Sequence, residues 1–331
     1  MKGIWKKITF GAAAIALAAG LGACAESDQA EGESNSSSGY PEKPIEVIVP
    51  AGAGGDTDLN TRIMAKAMEE ELGKPLVVTN VNGAGGTTGT QKVKDAKADG
   101  YTVLAFHNSM ILNKIYGLVD YTYSDMKVAG VGVLDQSNTF LVSKDSEFQT
   151  VEELIDYAKE NPKNVTVATE VGSMTYMQIL QFQEQTGVEF NIADVGGASD
   201  KITALLGGRV DIVPTSLGLV QGYIESGDFV PLGVMAEERL EDAPDIPTFK
   251  EQGVDLVVDK VFLWAFPKDT PDEVVSAFTE AMSKAVESEE YQEEIKKSWL
   301  NPTYLNPEEA SKKLSEVEAE YQELHELTEG Q

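Results

Sequence analysis

Two glycine-rich turns carry the residues best suited to chemistry. The first, Pro50-Ala51-Gly52-Ala53-Gly54-Gly55-Asp56-Thr57-Asp58, joins a strand-like run to a helix-like one. The second, Asn82-Gly83-Ala84-Gly85-Gly86-Thr87-Thr88-Gly89, does the same. Glycine permits conformations in which successive N–H groups point to one side, and a helix N-terminus adds partial positive charge. Together these make a nest for an anion. Each hydrogen bond to a charged acceptor is worth about 1.5–3 kcal/mol, so a few amides hold a carboxylate without arginine or lysine. Thr57, Thr87 and Thr88 can add hydroxyl donors. A tight turn alone also uses glycine. Two such turns at one sheet edge favour a site, because open α/β sheets bind ligands at their strands' carboxyl ends.

Other chemistries fit these residues poorly. Gly52-x-Gly54 follows a strand as in dinucleotide sites, but Thr57 stands at the third glycine position. Thr79-Asn80 closes the second strand where an acidic residue belongs, and neither turn ends in the Gly-Lys-Ser/Thr of a phosphate loop. The chain has two histidines, His107 and His325, and one cysteine, Cys24. That set excludes a disulfide within the chain and argues against zinc. No Gly-x-Ser-x-Gly elbow occurs, and a Ser-His-Asp triad would have to use His107, since His325 is expected to be exposed on a charged helix. Neither a catalytic residue nor a metal nor a cofactor is expected, and the chain is not read as an enzyme. His107-Asn108-Ser109 follows the strand Thr102–Phe106, which brings Ser109 toward the same cleft. Trp264 reads as core, and Glu318–Glu329 as a solvated helix face.

The elements that must position these turns alternate along the chain. Strands are expected at Ile45–Val49, Leu76–Thr79 and Thr102–Phe106, with helices at Leu59–Leu72 and Thr88–Ala96 between them. Such alternation predicts a parallel sheet with helices on its faces. A second run follows the strand Thr139–Val142. It has helices at Val151–Glu160, Met174–Gln185, Ser199–Leu206 and Gly218–Ser226, and strands at Val165–Ala168, Val188–Ile192 and Val210–Val213. A strand near Val257–Phe266 and helices from Pro271, Glu289 and Pro307 close the chain. The last helix carries Ala310, Leu314, Val317, Tyr321 and Leu324 on one stripe and should pack on a lobe.

Lys2, Lys6 and Lys7 precede the apolar run Ile8–Leu21. A spanning helix needs about 20 apolar residues, so this shorter run reads as a secretory signal, residues 1–23. It ends in Leu21-Gly22-Ala23-Cys24, which looks like a lipobox whose cysteine becomes the lipidated first residue. Acyl chains such as palmitate on Cys24 would hold the protein at the extracytoplasmic face of the cell membrane; an ordinary signal cut near Ala23 is the alternative. Residues 24–39 are polar and are expected to form a flexible tether. Removing the signal takes away three lysines and no acids, moving the formal charge from −29 to −32. That surface repels nucleic acid. The span 40–331 exceeds what one core normally serves, so two lobes are expected: 40–140 with 235–331, and 141–234.

Taken in order, Tyr40-Pro41-x-Lys43-Pro44-Ile45, Gly54-Gly55-x-x-Asp58 and Arg62 resemble the start of the tripartite tricarboxylate transporter binding proteins, the Bug family. Leu72-Gly73-Lys74-Pro75, Asn82-Gly83-Ala84-Gly85-Gly86 and Asp99-Gly100-Tyr101-Thr102 continue the match. Leu205-Leu206-Gly207-Gly208-Arg209-Val210-Asp211, Pro244-Asp245-Ile246-Pro247-Thr248 and Pro267-x-x-Thr270-Pro271 extend it over nearly everything after Gly39. The resemblance implies a two-lobed α/β fold of the type II periplasmic-binding kind, with hinge strands and a ligand cleft. It also implies capture of a small carboxylate, di- or tricarboxylate-like, for a large and a small permease subunit, by a protein taken here as a monomer. On this reading Gly54, Gly55, Asp56, Thr57, Asp58, Gly85, Gly86 and Thr87 hold ligand from one lobe. Gly172-Ser173-Met174-Thr175 matches a Gly-Ser turn facing ligand, with Ser173 and Thr175 as donors or as helix caps. Gly197 and Ser199, in Gly196-Gly197-Ala198-Ser199, match another ligand-side turn. Many relatives carry Tyr-Lys-Gly there, whereas Val195-Gly196-Gly197 has no cation, which leaves the far end of the ligand without a charge partner. Glu170 stands where relatives often have small residues; it is either solvated or selects a cationic group on the ligand. A sensor-presenting protein of the same fold and an extracellular hydrolase are the rival functions.

Overall fold

The computed structural model describes residues 39–328. The signal segment, Cys24 and the tether up to residue 38 lie outside that span. The first elements are β1 (Ile45–Val49), α1 (Asp56–Leu72), β2 (Leu76–Asn80), α2 (Thr87–Lys94), β3 (Thr102–His107), α3 (Ser109–Ile115) and β4 (Met126–Asp135). Next come β5 (Asn138–Ser143), α4 (Val151–Glu160), β6 (Thr166–Thr169), α5 (Met174–Thr186), β7 (Asn191–Asp194), α6 (Ala198–Leu206), β8 (Val213–Ser216), α7 (Gln221–Glu225) and β9 (Phe229–Val234). The remaining elements are β10 (Lys260–Pro267), α8 (Asp272–Glu287), α9 (Glu289–Lys296), β11 (Asn301–Leu305) and α10 (Pro307–Thr328).

One sheet has six strands in the order β11-β4-β10-β3-β1-β2. β1 runs parallel to β2 and β3, as its crossover helices require. β10 lies antiparallel between β3 and β4, and β11 antiparallel beside β4, so the sheet is mixed rather than parallel throughout. β10 comes in from the second group of strands and not through a crossover from β3, which frees its direction. That second group comprises the antiparallel set β8-β5-β9 and the parallel pair β6-β7. β8 is an edge strand, which is why it tolerates Pro214.

Local sequence explains most helix limits. Thr150 caps α4 by accepting from the Glu153 amide at 3.2 Å, and Val151, Leu154 and Ala158 bury its apolar face. α1 stops at Gly73, whose φ of 63° is the left-handed conformation that ends helices. The α10 stripe packs as its spacing demands, with Ala310, Leu314, Val317 and Tyr321 buried. Trp264 sits in the core beside Phe278.

Three expectations shift. The strand expected at Val188–Ile192 forms at Asn191–Asp194, and the one at Val210–Val213 forms at Val213–Ser216. Val188 and Val210 are buried without belonging to strands. The helix expected over Gly218–Ser226 is a 3₁₀ turn at Leu217–Leu219 followed by the short α7. A Cβ on Gly218 would meet the Ser298 carbonyl oxygen at 2.2 Å, so close backbone packing governs that stretch. His325 is half-buried, edge-on to Tyr116 with ring centroids 5.3 Å apart.

Candidate functional site

The carboxyl ends of β1, β2 and β3 point toward those of β6 and β7, and a cavity of about 230 Å³ opens between them. At about 30 Å³ per liquid water it has room for several waters or one small molecule, below the roughly 300 Å³ at which drug-sized pockets begin. Three helices begin at its wall. α1 starts after Gly55, α5 after Ser173 and α6 after Gly197, and none of these cap residues accepts from a backbone amide of its own helix through a side chain. The first-turn amides of a helix have no intrahelical acceptor, and they carry its positive dipole end. In α6 these are the amides of Ala198, Ser199 and Asp200. The arrangement attracts negative charge.

The residues singled out in the sequence divide into two groups. Gly55, Asp56, Thr57, Gly85, Ser109, Ser173, Thr175, Gly197 and Ser199 line the cavity. Gly54, Asp58, Gly86 and Thr87 stand behind it and shape the turns. Asp58 accepts from the Gly54 amide at 2.9 Å and from Arg62 Nε at 2.9 Å, so its carboxylate ties the first turn to α1. Gly86, at φ 93°, lies against Phe106, whose Cζ is 2.4 Å from where a Cβ would stand. Thr87 Oγ1 donates to the Ala84 carbonyl at 2.9 Å.

Contacts across the cleft join the two strand groups. The Met174 amide donates to Ser109 Oγ at 3.2 Å. Ser199 Oγ lies 3.8 Å from the Cβ position of Gly54, and the Gly85 amide donates to Glu170 Oε1 at 3.1 Å. Ser173 Oγ and Thr169 Oγ1 each lie 2.9 Å from Thr175 Oγ1, forming a hydroxyl chain rather than a helix cap.

Two lysines that sequence reasoning did not select also line the cavity. Lys260 opens β10, and the pairing of Phe262 with His107 carries it to the carboxyl end of β3. It makes a buried ion pair with Asp56. Burial alone would raise the Asp56 carboxyl, but Lys260 and the Thr57 amide override it and hold the group at about 2. Lys201 lies one turn into α6 and is 4% exposed. Its Nζ donates to Thr175 Oγ1 at 3.2 Å and to the Pro214 carbonyl at 3.0 Å. Burial, followed by repulsion from Lys260, pulls its pKa down to about 8. The far end of the cavity therefore has a cation after all, four residues beyond Gly197. The signal available in sequence was that spacing: a lysine one turn into a helix whose start faces ligand. His107 is neutral, because burial and Lys260 both press its pKa well below the usual range. Its Nδ1 accepts from the Ser109 amide at 3.3 Å, which leaves the ring proton on Nε2. Among the described residues no cluster of His, Cys, Asp or Glu is suited to a metal.

Mixed α/β lobes facing each other across an anion-attracting cleft define a two-lobed periplasmic binding protein. The chain matches the family model described as tripartite tricarboxylate transporter family receptor, TctC, over residues 60–326, and it belongs to that family. It is 30% identical over 295 residues to the UPF0065 protein in gbd 5'region of Cupriavidus necator, covering 88% of each chain. It is similar to the structure of the periplasmic binding protein BugD, with a TM-score of 0.80, 28% identity and coverage of 87% of this chain and 98% of that one. An R. palustris protein with adipate shares the fold at a TM-score of 0.83 and 23% identity, over 87% and 98% of the two chains.

Proposed function

We propose that this chain captures a small carboxylate between its lobes and presents it to the membrane subunits of a tripartite transporter. One observation carries the reading: the starts of α5 and α6, neither capped by its own cap residue's side chain, and the buried Lys201 converge on a single small cavity. Oxygen acceptors with negative charge satisfy both features at once. Gly55 would offer a donor from one lobe, and Ser173, Thr175, Gly197 and Ser199 from the other, while Thr57 gives its amide to Asp56, Gly85 gives its amide to Glu170, and Gly54, Asp58, Gly86 and Thr87 hold the turns in shape. We take the lobes as 40–140 with 235–331, and 141–234. The crossing strands run at 138–142 and 231–236, where the Met235 amide donates to the Asn138 carbonyl at 2.8 Å. Ligand bridging both lobes shifts the balance toward the closed form. Among the described residues no helix is long and apolar enough to cross a membrane. Attachment at the extracytoplasmic face falls to lipid on Cys24, on this reading, with the protein acting as a monomer.

Native mass spectrometry of freshly purified mature protein is expected to show a retained small acid, and calorimetry with that acid gives its affinity. Gly54→Val should abolish that binding and lower the unfolding temperature by a few degrees, the strain of a side chain at positive φ. Gly54 has φ 77°, which a β-branched residue rarely adopts, yet its Cβ position meets only Ser199 Oγ at 3.8 Å. Gly85→Val should also abolish binding but unfold earlier, since a Cβ there stands 3.1 Å from the buried Asn113 Oδ1. Unchanged affinity in both variants would remove the glycine turns from the site.

Affinity should also depend on pH in a defined window. The lysine form that attracts an anion is the protonated one, present below the Lys201 pKa of about 8. Affinity is expected to hold level through neutral pH and to fall as pH rises through about 8. A flat profile from pH 6 to 10, probed at about one-unit steps, would show that Lys201 does not meet the ligand.

A further inference from the structure

The second glycine turn already holds a carboxylate, and it belongs to the protein. Glu170 follows β6, and its Oε1 accepts from the Gly85 amide 3.1 Å away on the opposite lobe. Gly85, at φ 63°, is buried; Thr87 Oγ1 donates at 2.9 Å to the Ala84 carbonyl of the same peptide, which fixes the direction of that N–H, and Asn113 Nδ2 anchors the next carbonyl at 3.0 Å. Leu118 packs behind the contact, its Cδ1 within 3.9 Å of the Cβ position on Gly85 and 3.0 Å of that on Gly172. The seat is therefore held by packing on both lobes.

Charge counting around the cavity points the same way. Asp56 and Lys260 neutralise each other, and Asp200 adds a further carboxylate at the start of α6. Lys201 makes its hydrogen bonds to a hydroxyl and a carbonyl, so among the described lining residues it is the lysine left to meet an incoming carboxylate. One ligand carboxylate thus finds a cation and the starts of α5 and α6. A second one, directed at the Gly85 turn, meets the carboxylate of Glu170 in the place it would take. Like charges this close repel, and the repulsion reads as lost affinity.

We propose that Glu170 is a specificity-determining residue that stands in for one carboxylate of the ligand, so that the site selects acids carrying a single carboxylate over dicarboxylates of the same length. The proposal rests on the carboxylate-receptor reading above and narrows it. A ligand with a donor at its other end, hydroxyl or ammonium, gains a partner in the Glu170 oxygens, whereas a dianion gains a repulsion.

The test uses mature wild-type protein and two variants, Glu170→Gln and Glu170→Ala, titrated calorimetrically with two matched pairs of probes: hexanoate with adipate, and 2-hydroxybutyrate with malate. Wild type is expected to bind the monocarboxylate of a pair about tenfold or more tighter than the dicarboxylate. In Glu170→Ala the ratio should move toward the dicarboxylate by about tenfold or more, because the Gly85 amide is released to the ligand. Glu170→Gln should move it less, since its amide oxygen still takes the Gly85 N–H while the charge is gone. A dicarboxylate preference in wild type, or a ratio that is the same in all three folded proteins, would overturn the role of Glu170 and leave the receptor reading standing. No binding of any of the four probes to folded wild type would overturn the receptor reading, and this proposal with it.

Discussion

Lys201→Met is expected to weaken binding of the retained acid by about ten- to a hundredfold, the loss of one hydrogen bond to a charged group. Methionine keeps the length of the apolar stem and removes the ammonium. The Lys201 side chain is buried, and the neighbours it touches, Thr175 Oγ1 and the Pro214 carbonyl, are uncharged. In the ligand-free protein that ammonium is costly, which is what its lowered pKa of about 8 expresses. Removing it relieves a desolvation penalty and loses two hydrogen bonds from the ammonium to uncharged acceptors, so the two effects offset and the unfolding temperature should stay within a few degrees of wild type. Calorimetric titration and a thermal melt on the same sample separate the two effects. A variant that binds as wild type does would exclude Lys201 from the ligand's contacts. A variant that fails to fold would show that the lysine serves the α6 and β8 junction instead. Loss of the pH dependence above about 8 in the variant ties the titration to this side chain.

The second large effect concerns stability. Lys260→Met leaves Asp56 as a buried, unpaired carboxylate, and breaking such a pair costs about 3–5 kcal/mol. Asp56 is held at about 2 by Lys260 and the Thr57 amide against the opposing effect of burial. The sign follows from that: a carboxyl depressed in the folded state stabilises above its unfolded pKa of 3.8, and this contribution is lost as pH falls through about 2. In Lys260→Met the dependence moves to higher pH, because burial is then opposed by the Thr57 amide without the lysine. Replacing both partners, Asp56→Asn with Lys260→Met, should recover most of the loss, since a neutral pair of similar volume has little desolvation to overcome. Urea unfolding of the wild type, both single variants and the double variant completes a mutant cycle. Additive losses, or a cost below about 1 kcal/mol for Lys260→Met, would mean the pair is solvated rather than part of the floor of the cleft. The pair also fixes the start of α1, so ligand binding should fall in both single variants.

Local chemistry made much of this molecule legible without coordinates. β1 was readable from its run of β-branched residues, and α4 from its apolar spacing with Thr150 before it. Both glycine turns were readable as strand-to-helix junctions because glycine states its conformational purpose in sequence. Where an element's signal was not local, reading failed. β4 contains Gly130 and Gly132, which weaken any strand pattern, yet both are needed there. A Cβ on Gly132 would stand 2.6 Å from Met64 Cε, and one on Gly130 would stand 2.9 Å from the Leu305 carbonyl oxygen. β11 is short and begins with Asn301-Pro302, so only its pairing with β4 makes it a strand.

The site divides along the same line. The turns, the helix starts and the hydroxyl residues near them follow from short stretches of chain, because a backbone amide is aimed by the φ and ψ of its immediate neighbours. Charge placement was decided elsewhere. Lysine is ordinarily solvated; its place one turn into α6 aims Lys201 toward the cleft, but that spacing does not announce that packing would press it between Thr175 and Pro214. Lys260 reaches Asp56 only because β10 threads antiparallel between β3 and β4. Glu170 meets Gly85 only where two lobes close on each other. Sequence alone thus determined that the backbone could receive an anion. Tertiary packing decided which charges stand around it, since electrostatic partners are chosen by distance in space and residues 85 or 204 positions apart have no local means of showing it.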